Sequence, residues 1–128
     1  MFASVNKTKI YIMRVLFYLY THEGVHTSAE IAAETDVPRR YMEKCLRYMR
    51  EHCLVASTGR GRGQGYTLLD MPQNCLALMR QVCPEKPAKY LDPENRYDDV
   101  IGNIMRDVLY AEDALLAGMP VDKYLEIQ

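Results

Sequence analysis

The stretch from residue 38 to 52 is the most informative part of the sequence, because its apolar and cationic residues separate at helical spacing. At about 100° per residue, one arc carries only apolar residues: Met42, Cys45, Leu46, Met49 and Cys53. The opposite arc carries cations and one carboxylate: Arg39, Arg40, Glu43, Lys44, Arg47 and Arg50. We therefore predict a helix over 38–52 that docks one face on a core and presents the other face outward.

A second predicted helix comes directly before this one. Thr27-Ser28-Ala29-Glu30 fits a capping box, in which a hydroxyl accepts from a free backbone N–H and the Glu reaches back. A helix over 28–34 follows, with Ile31 and Ala32 facing inward. Thr35-Asp36-Val37-Pro38 predicts a turn, because the residue before a proline disfavours helix and proline suits the first turn of the next helix.

Two short apolar stretches flank a glycine-rich, basic loop. Residues 54–58 and 66–69 read as strands, and residues 59–65 between them contain Arg60 and Arg62. Helix, turn, helix and then a hairpin with a basic tip is the order of a winged helix-turn-helix. We therefore predict a mostly α fold with a small β-hairpin wing.

The segments on either side of this unit are also helical in pattern. Residues 7–20 are apolar around nearly the whole helix, so we expect them to be buried on several sides, in part by a second copy. Residues 22–26, which contain Gly24, predict a short turn. A short helix is expected over 73–82, and a short terminal turn or helix over 121–127.

Three prolines in residues 84–93 predict a linker before a long amphipathic helix over 97–117. The expected domains are a winged helix-turn-helix at 1–83, a linker at 84–96, and a dimerisation helix with a C-terminal tail at 97–128. The apolar stripe of the long helix is either intramolecular core or a dimer interface. We favour the dimer, because a lone winged helix needs no further long helix. The predicted interface residues are Ile101, Ile104, Met105, Val108, Leu109, Leu115 and Leu116.

The charge is distributed unevenly along the chain. Residues 1–69 hold 10 Lys and Arg against 6 Asp and Glu, whereas residues 70–128 hold 6 against 11. The net charge of −1 therefore conceals one basic and one acidic half. This asymmetry predicts a polyanion contact on the basic half, with a simple solvated charged face as the alternative.

The four cysteines show no metal-binding spacing. There is no C-x-x-C pattern and no histidine at zinc-ligand spacing, so we expect no structural zinc site. Cys45 and Cys53 are expected to be small buried apolar residues. Cys75 and Cys83 lie eight residues apart, two turns along one helix face, and are candidates for a thiol or metal sensor. His22, His26 and His52 are expected to be ordinary surface residues.

Several function classes are disfavoured. The longest apolar run, residues 10–20, is interrupted by Arg14 and is about half the ~20 residues that a membrane span needs. With no secretory signal, we expect a cytoplasmic protein with no membrane partner. The sequence also has no phosphate loop after a strand, no H-E-x-x-H and no serine elbow, so we expect no enzyme and no catalytic residues.

The run from Ile31 to Leu46 resembles the second and third helices of the Rrf-two family of bacterial winged helix-turn-helix transcription regulators. Leu54-Val55-Ala56-Ser57-Thr58-Gly59-Arg60-Gly61 with Gly65-Tyr66-Thr67-Leu68 resembles the wing of that family. The resemblance implies a cytoplasmic homodimer that binds palindromic double-stranded DNA and represses or activates transcription. It places Arg39, Arg40, Tyr41 and Glu43 at the start of the recognition helix and Arg60 in the wing.

Residue chemistry extends this predicted DNA-binding set. The helix start at Ser28 suits a phosphate, because free backbone N–H groups point outward there. Glu43 either accepts a hydrogen bond from a cytosine or pairs with a neighbouring arginine. The complete predicted set is Ser28, Arg39, Arg40, Tyr41, Glu43, Lys44, Arg47, Arg60, Arg62 and Gln64.

Many members of the Rrf-two family hold an iron–sulfur cluster with three cysteines just before the dimer helix. Residues 84–99 contain no cysteine here, so we expect no cluster of that type and no other cofactor. The chain resembles the cluster-free members, among them a repressor of cysteine metabolism that responds to a partner enzyme, so a protein effector is a candidate partner. Two alternatives stay open: a thiol- or metal-responsive regulator, and a winged-helix module that binds an acidic protein.

Overall fold

The computed structural model describes residues 6–59, 64–82 and 92–125. Their contacts form two compact units: an N-terminal unit that ends at Met71 and a C-terminal unit that begins at Pro72. The division therefore falls earlier than the expected boundary at residue 83. Arg60, Arg62, Cys83 and most of the expected linker lie outside the described residues.

The first helix, α1 (Lys7–Thr21), runs through the core of the N-terminal unit. Its N-cap is Asn6, whose side-chain oxygen accepts from the Lys9 backbone N–H at 3.0 Å. The expected burial on several sides is observed, although Ile10 remains exposed. The buried apolar residues of α1 are Tyr11, Ile12, Val15, Leu16 and Leu19.

The predicted helix-turn-helix is formed by α2 (Ser28–Thr35) and α3 (Arg39–Glu51). The capping box is only half formed, because Thr27 Oγ1 accepts from the Glu30 N–H at 3.2 Å while the Glu30 carboxylate faces His26. Asp36 ends α2 in the left-handed region, with φ of 55°. Pro38 precedes α3 as its N-cap, and its carbonyl accepts from the backbone N–H of Tyr41 and Met42.

Three strands form one antiparallel sheet in the N-terminal unit. The expected wing is β2 (Val55–Thr58) and β3 (Gly65–Leu68), and the strand order is β1-β3-β2. The additional strand is β1 (His26–Thr27), in which His26 pairs with Tyr66 and Thr27 with Gly65. The predicted turn at 22–26 therefore extended one residue too far, because His26 belongs to β1. A strand of two residues is too short to show the alternation of apolar and polar residues by which a strand is predicted.

Cys53 corrects one expectation about the core. It is exposed, with φ of 57°, whereas the helical arc predicted it to face inward. The reason is that α3 ends at Glu51, so helical spacing no longer applies at residue 53. Cys45, two turns earlier in α3, is fully buried as expected.

The C-terminal unit contains α4 (Cys75–Val82), α5 (Arg96–Ala117) and α6 (Val121–Leu125). The Asn95 side chain caps α5 by accepting from the backbone N–H of Tyr97 and Asp98. The backbone N–H of Cys75 donates to Met119, and that of Val121 donates to Gln73. These bonds tie the start of α4 to the start of α6. None of the described helices is long and apolar enough to cross a membrane.

Candidate nucleic-acid interface

The outward face of α3 carries half of the predicted DNA-binding residues. Its buried side consists of Met42, Cys45, Leu46 and Met49, which fixes the rotation of the helix on the core. The exposed residues on its other side are Arg39, Arg40, Glu43, Lys44, Arg47 and Arg50. Because the apolar side of α3 packs on the core, these charged side chains lie at the surface.

Three elements meet beside this face in a groove of about 290 Å³. Exposed Ser28 comes from the first turn of α2, Arg39 and Glu43 come from α3, and Tyr66 comes from β3. Tyr66 was not among the predicted site residues, because nothing in the sequence relates its strand to the start of α2. The pairing of β1 with β3 brings these elements together. Gln64, immediately before β3, is half-buried.

The two sequence-based interpretations of Glu43 can be compared with its surroundings. Pairing with Arg39, Arg40 or Arg47 was one expectation, and within the described part of the chain none of these ion pairs forms. The exposed carboxylate of Glu43 instead lines the groove.

Tyr41 is placed differently from its exposed neighbours. Its ring is half-buried and lies against Tyr11 of α1, with centroids 5.5 Å apart and an interplanar angle of 49°. The Arg40 guanidinium carbon lies 5.0 Å from the Tyr41 ring centroid. The Tyr41 ring therefore packs against α1 while it lies beside Arg40, and its expected contact with DNA stays a prediction.

Arg14 of α1 is a residue that the sequence analysis did not select. Its Nη1 donates to the carbonyl oxygens of Thr35 and Asp36, both at 3.3 Å, and its guanidinium lies 5.4 Å from the Tyr11 ring centroid. The spacing of Tyr11 and Arg14, three residues apart on a helix, was the only available signal. Arg14 thereby ties the turn of the helix-turn-helix to α1.

His26 forms a hydrogen-bonded cluster at the other end of α1. Its Nε2 lies 2.8 Å from the His22 carbonyl oxygen, and its Nδ1 lies 3.2 Å from the Glu30 carboxylate. Burial acts to lower the pKa of His26, but the hydrogen bonds to His22, Glu30 and Glu23 and the charge of Glu30 outweigh it, so the pKa is raised. The expectation of an ordinary surface histidine was therefore wrong for His26.

Tyr18 lies beside His26, with its hydroxyl 3.4 Å from His26 Nδ1. Burial and the nearby carboxylates of Glu34 and Glu30 raise the pKa of Tyr18. Because both ring nitrogens of His26 face acceptors, this cluster favours the protonated imidazolium.

The cysteines are distributed over different environments. Burial raises the pKa of the Cys45 thiol in α3 and of the half-buried Cys75 thiol in α4. Within residues 6–59, 64–82 and 92–125, no group of three or more His, Cys, Asp or Glu side chains is arranged to hold a metal ion. Cys83, one of the two sensor candidates, lies outside these residues.

The apolar stripe of α5 divides into two sets. Ile101, Ile104, Val108 and Leu115 are 43%, 58%, 41% and 62% exposed, respectively. Met105 and Leu109 are half-buried, and Leu116 is buried. The prediction that Leu116 contacts a second copy is corrected, since its side chain is already covered within the protomer. Tyr97 and Val100 extend the exposed set toward the start of α5.

Three helices, one of which exposes a row of cations, and a three-stranded sheet define the N-terminal unit as a winged-helix domain. The profile of the Rrf2 family, described as an iron-dependent transcriptional regulator, matches residues 5–111. The chain therefore belongs to the Rrf2 family, written Rrf-two above. Members of this family are transcription regulators. A search of curated proteins found no match.

Solved structures share the fold. IscR of T. potens is 22% identical, with a TM-score of 0.67, covering 95% of this chain and 85% of that one. CymR (YrzC), the global cysteine regulator of B. subtilis, is 19% identical, with a TM-score of 0.66 and 97% of each chain covered. CymR of Staphylococcus aureus is 21% identical, with a TM-score of 0.60, covering 94% of this chain and 97% of that one. At identities of 19–22%, the similarity to these three structures shows a shared fold.

Proposed function

We propose that this protein is a sequence-specific DNA-binding transcription regulator that acts as a homodimer on a palindromic operator. The observation that carries the proposal is the exposed cationic face of α3, oriented by its buried apolar side and bordered by Ser28 and Tyr66 in one groove. An α-helix fits the DNA major groove, and arginine forks match guanine edges and phosphates.

The residues at the start of α3 are proposed to read base edges. Arg39 and Arg40 supply donors for guanine or phosphate, and Glu43 supplies an acceptor for the cytosine amino group. Lys44 and Arg47, one turn further along the same face, are proposed to contact phosphates. These phosphate contacts contribute affinity for any sequence, whereas the base contacts distinguish between sequences.

The flanking elements are proposed to position α3 on the duplex. Ser28 places backbone N–H groups of the α2 start against a phosphate. Arg60, Arg62 and Gln64 are proposed to contact phosphates or the adjacent minor groove, because a narrow groove attracts arginine.

We further propose that a second copy covers the exposed apolar face of α5. Ile101, Ile104, Val108 and Leu115 form this face on the long helix. Monomeric proteins rarely expose contiguous apolar patches of this kind. A two-fold dimer would present two α3 helices to successive major grooves, about 34–36 Å apart.

No iron–sulfur cluster of the family type and no catalytic activity are part of the proposal. For the cluster, the reason is the absence of cysteine from residues 84–99. For catalysis, the reason is that the sequence has no phosphate loop after a strand, no H-E-x-x-H and no serine elbow. Iron content and the visible absorption spectrum of protein purified without oxygen test this point. A stoichiometric cluster would contradict it and would direct attention to Cys75 and Cys83 as sensor residues.

The decisive experiment is selection from random duplex DNA at a fixed, stated salt concentration, followed by sequencing of the retained molecules. A two-fold symmetric motif is the expected result. If a folded dimer retains no preferred sequence, the proposal fails. The exposed cations of α3 would then be tested against acidic protein partners.

A further inference from the structure

Four side chains form a continuous stack between α1 and the start of α3. The Arg14 guanidinium lies over the Tyr11 ring, Tyr11 lies against Tyr41, and the Arg40 guanidinium lies over Tyr41. The three separations are 5.4, 5.5 and 5.0 Å, respectively. We call this set, Arg14-Tyr11-Tyr41-Arg40, the aromatic stack.

We propose that the aromatic stack fixes the direction of the Arg40 guanidinium and so sets the base preference of α3. Arg14, Tyr11 and Tyr41 are positioning residues in this proposal, and only Arg40 touches DNA. The inference rests on the proposed function, because it concerns how the DNA-reading arginine is held.

Burial decreases from Tyr11 through Tyr41 to Arg40. Tyr11 is 8% exposed, Tyr41 is half-buried and Arg40 is exposed. The Tyr11 ring is therefore held by the core. The Tyr41 ring packs against it and contacts the Arg40 side chain, which is otherwise solvated. The stack transfers the rigidity of α1 to one side chain of α3.

The opposite end of the stack is anchored in the turn of the helix-turn-helix. Arg14 donates to the carbonyl oxygens of Thr35 and Asp36 while it covers Tyr11. The same side chain thus contacts the end of α2 and, through the two rings, the start of α3. The direction of Arg40 is consequently coupled to the geometry of the turn.

Stacking leaves the DNA-binding chemistry of Arg40 available. A guanidinium that rests on a ring uses its flat face, and its edge N–H donors stay free for a two-point contact. An arginine that is already oriented loses less rotamer entropy when it binds. Among the described residues, neither Arg39 nor Arg47 has a ring beneath it, so Arg40 is distinguished from its neighbours.

The test compares base-preference profiles of variants, obtained by selection and sequencing, with affinities for the selected operator and for a scrambled duplex. Tyr41→Leu removes the ring under Arg40, and Tyr41→Phe retains it. We expect Tyr41→Leu to weaken operator binding about five- to tenfold and Tyr41→Phe to resemble the wild type. The scrambled duplex should bind all of these variants equally well.

Two comparisons separate positioning from general destabilisation. Tyr41→Leu and Arg40→Ala should relax the same base pairs of the motif, and Tyr41→Leu should cause no further loss once Arg40 is alanine. Arg14→Lys, at an exposed position, should relax the same base pairs to a smaller extent because an ammonium does not stack flat. Phe17→Leu, an aromatic truncation elsewhere on α1, is the matched control and should leave the profile unchanged.

Additive losses, or relaxation at different base pairs, would overturn the positioning role while leaving the proposed function intact. The absence of any motif for the wild-type protein would overturn both.

Discussion

Arg40 and Arg62 represent the two ways in which a cation can contribute to DNA binding. Arg40 lies on a helix whose rotation is fixed by Met42, Leu46 and Met49, so its position relative to a base edge is defined. Arg62 belongs to a basic, glycine-rich stretch of the sequence and is proposed to contact phosphates. Base readout requires a defined position, whereas attraction to phosphates does not.

Alanine substitutions at these two positions should therefore have different effects. Arg40→Ala should weaken operator binding by about 1–3 kcal/mol and leave binding to scrambled DNA nearly unchanged. Arg62→Ala should weaken binding to both duplexes and flatten the salt dependence of affinity. Titrations of both duplexes at several salt concentrations measure these effects. Equal operator affinity of the two variants would contradict the arrangement.

His26 predicts a pH-dependent contribution to stability. Its pKa in the folded protein is raised above the ordinary value of 6.5, so the stabilisation is fully present below that value and is lost as the pH rises through the folded pKa. The free energy of unfolding of His26→Gln should therefore differ most from wild type at about pH 6, and the difference should narrow by about pH 9. Urea unfolding across this range is the measurement.

Glu30→Gln is the matched variant for this experiment. It keeps the shape of the side chain and removes the carboxylate that faces His26 Nδ1. It should lower the pKa of His26 and shift the pH-dependent loss of stability to lower pH. A stability difference between wild type and His26→Gln that is constant over pH would rule out the charged cluster.

At the scale of elements, β1 connects the wing to the helix-turn-helix. Pairing of Thr27 with Gly65 places the cap of α2 opposite the first residue of β3. A Cβ added at Gly65 would collide with Val25 Cγ1 and would lie 3.3 Å from Thr58 Oγ1. Glycine therefore avoids crowding against the side chain of Val25, which precedes β1, and against Thr58 of β2.

Gly65→Ala should accordingly destabilise the protein by about 1–2 kcal/mol, the usual cost of overpacking. Val25 is β-branched, so few χ1 rotamers are open to it and its side chain has little room to move away from an added Cβ. Val25→Ala in the same chain should recover most of that loss, because it removes the colliding methyl group. Thermal unfolding of the two single variants and the double variant gives the comparison. A double variant no more stable than Gly65→Ala would show that crowding at Val25 is not the cause.

At the scale of the whole molecule, the apolar face of α5 determines the expected assembly. Ile104 lies at its centre and is 58% exposed, while buried Leu116 belongs to the interior of the protomer. Covering such a face removes apolar area from water, at roughly 25 cal/mol per Å².

Ile104→Glu should therefore convert the protein to a monomer, because a carboxylate buried in an apolar interface has no partner. Asn103→Glu is the matched control, since it adds the same charge at an adjacent exposed position outside the apolar stripe. Sedimentation velocity gives the oligomeric state of both variants. A monomeric wild type, or an Ile104→Glu variant that remains dimeric, would contradict the proposed interface.

Local sequence signals determined most of the elements and their order. The spacing of Met42, Cys45, Leu46 and Met49 specified α3 and its exposed cations, because periodicity directly reports which face is buried. Pro38 and the Thr27 hydroxyl marked the helix starts, because proline and capping residues act on neighbouring backbone groups. The wing strands followed from their composition and the glycine-rich loop between them.

Contacts between distant residues were decided only by the tertiary structure. The pairing of β1 with β3, the half-buried position of Tyr41 against Tyr11, and the hydrogen bonds of Arg14 to the turn join residues that lie far apart in sequence. The exposure of Cys53 and the burial of Leu116 also depend on where a helix ends and what covers it. Periodicity identifies a buried face, but the identity of the surface that packs against it depends on the arrangement of the whole chain.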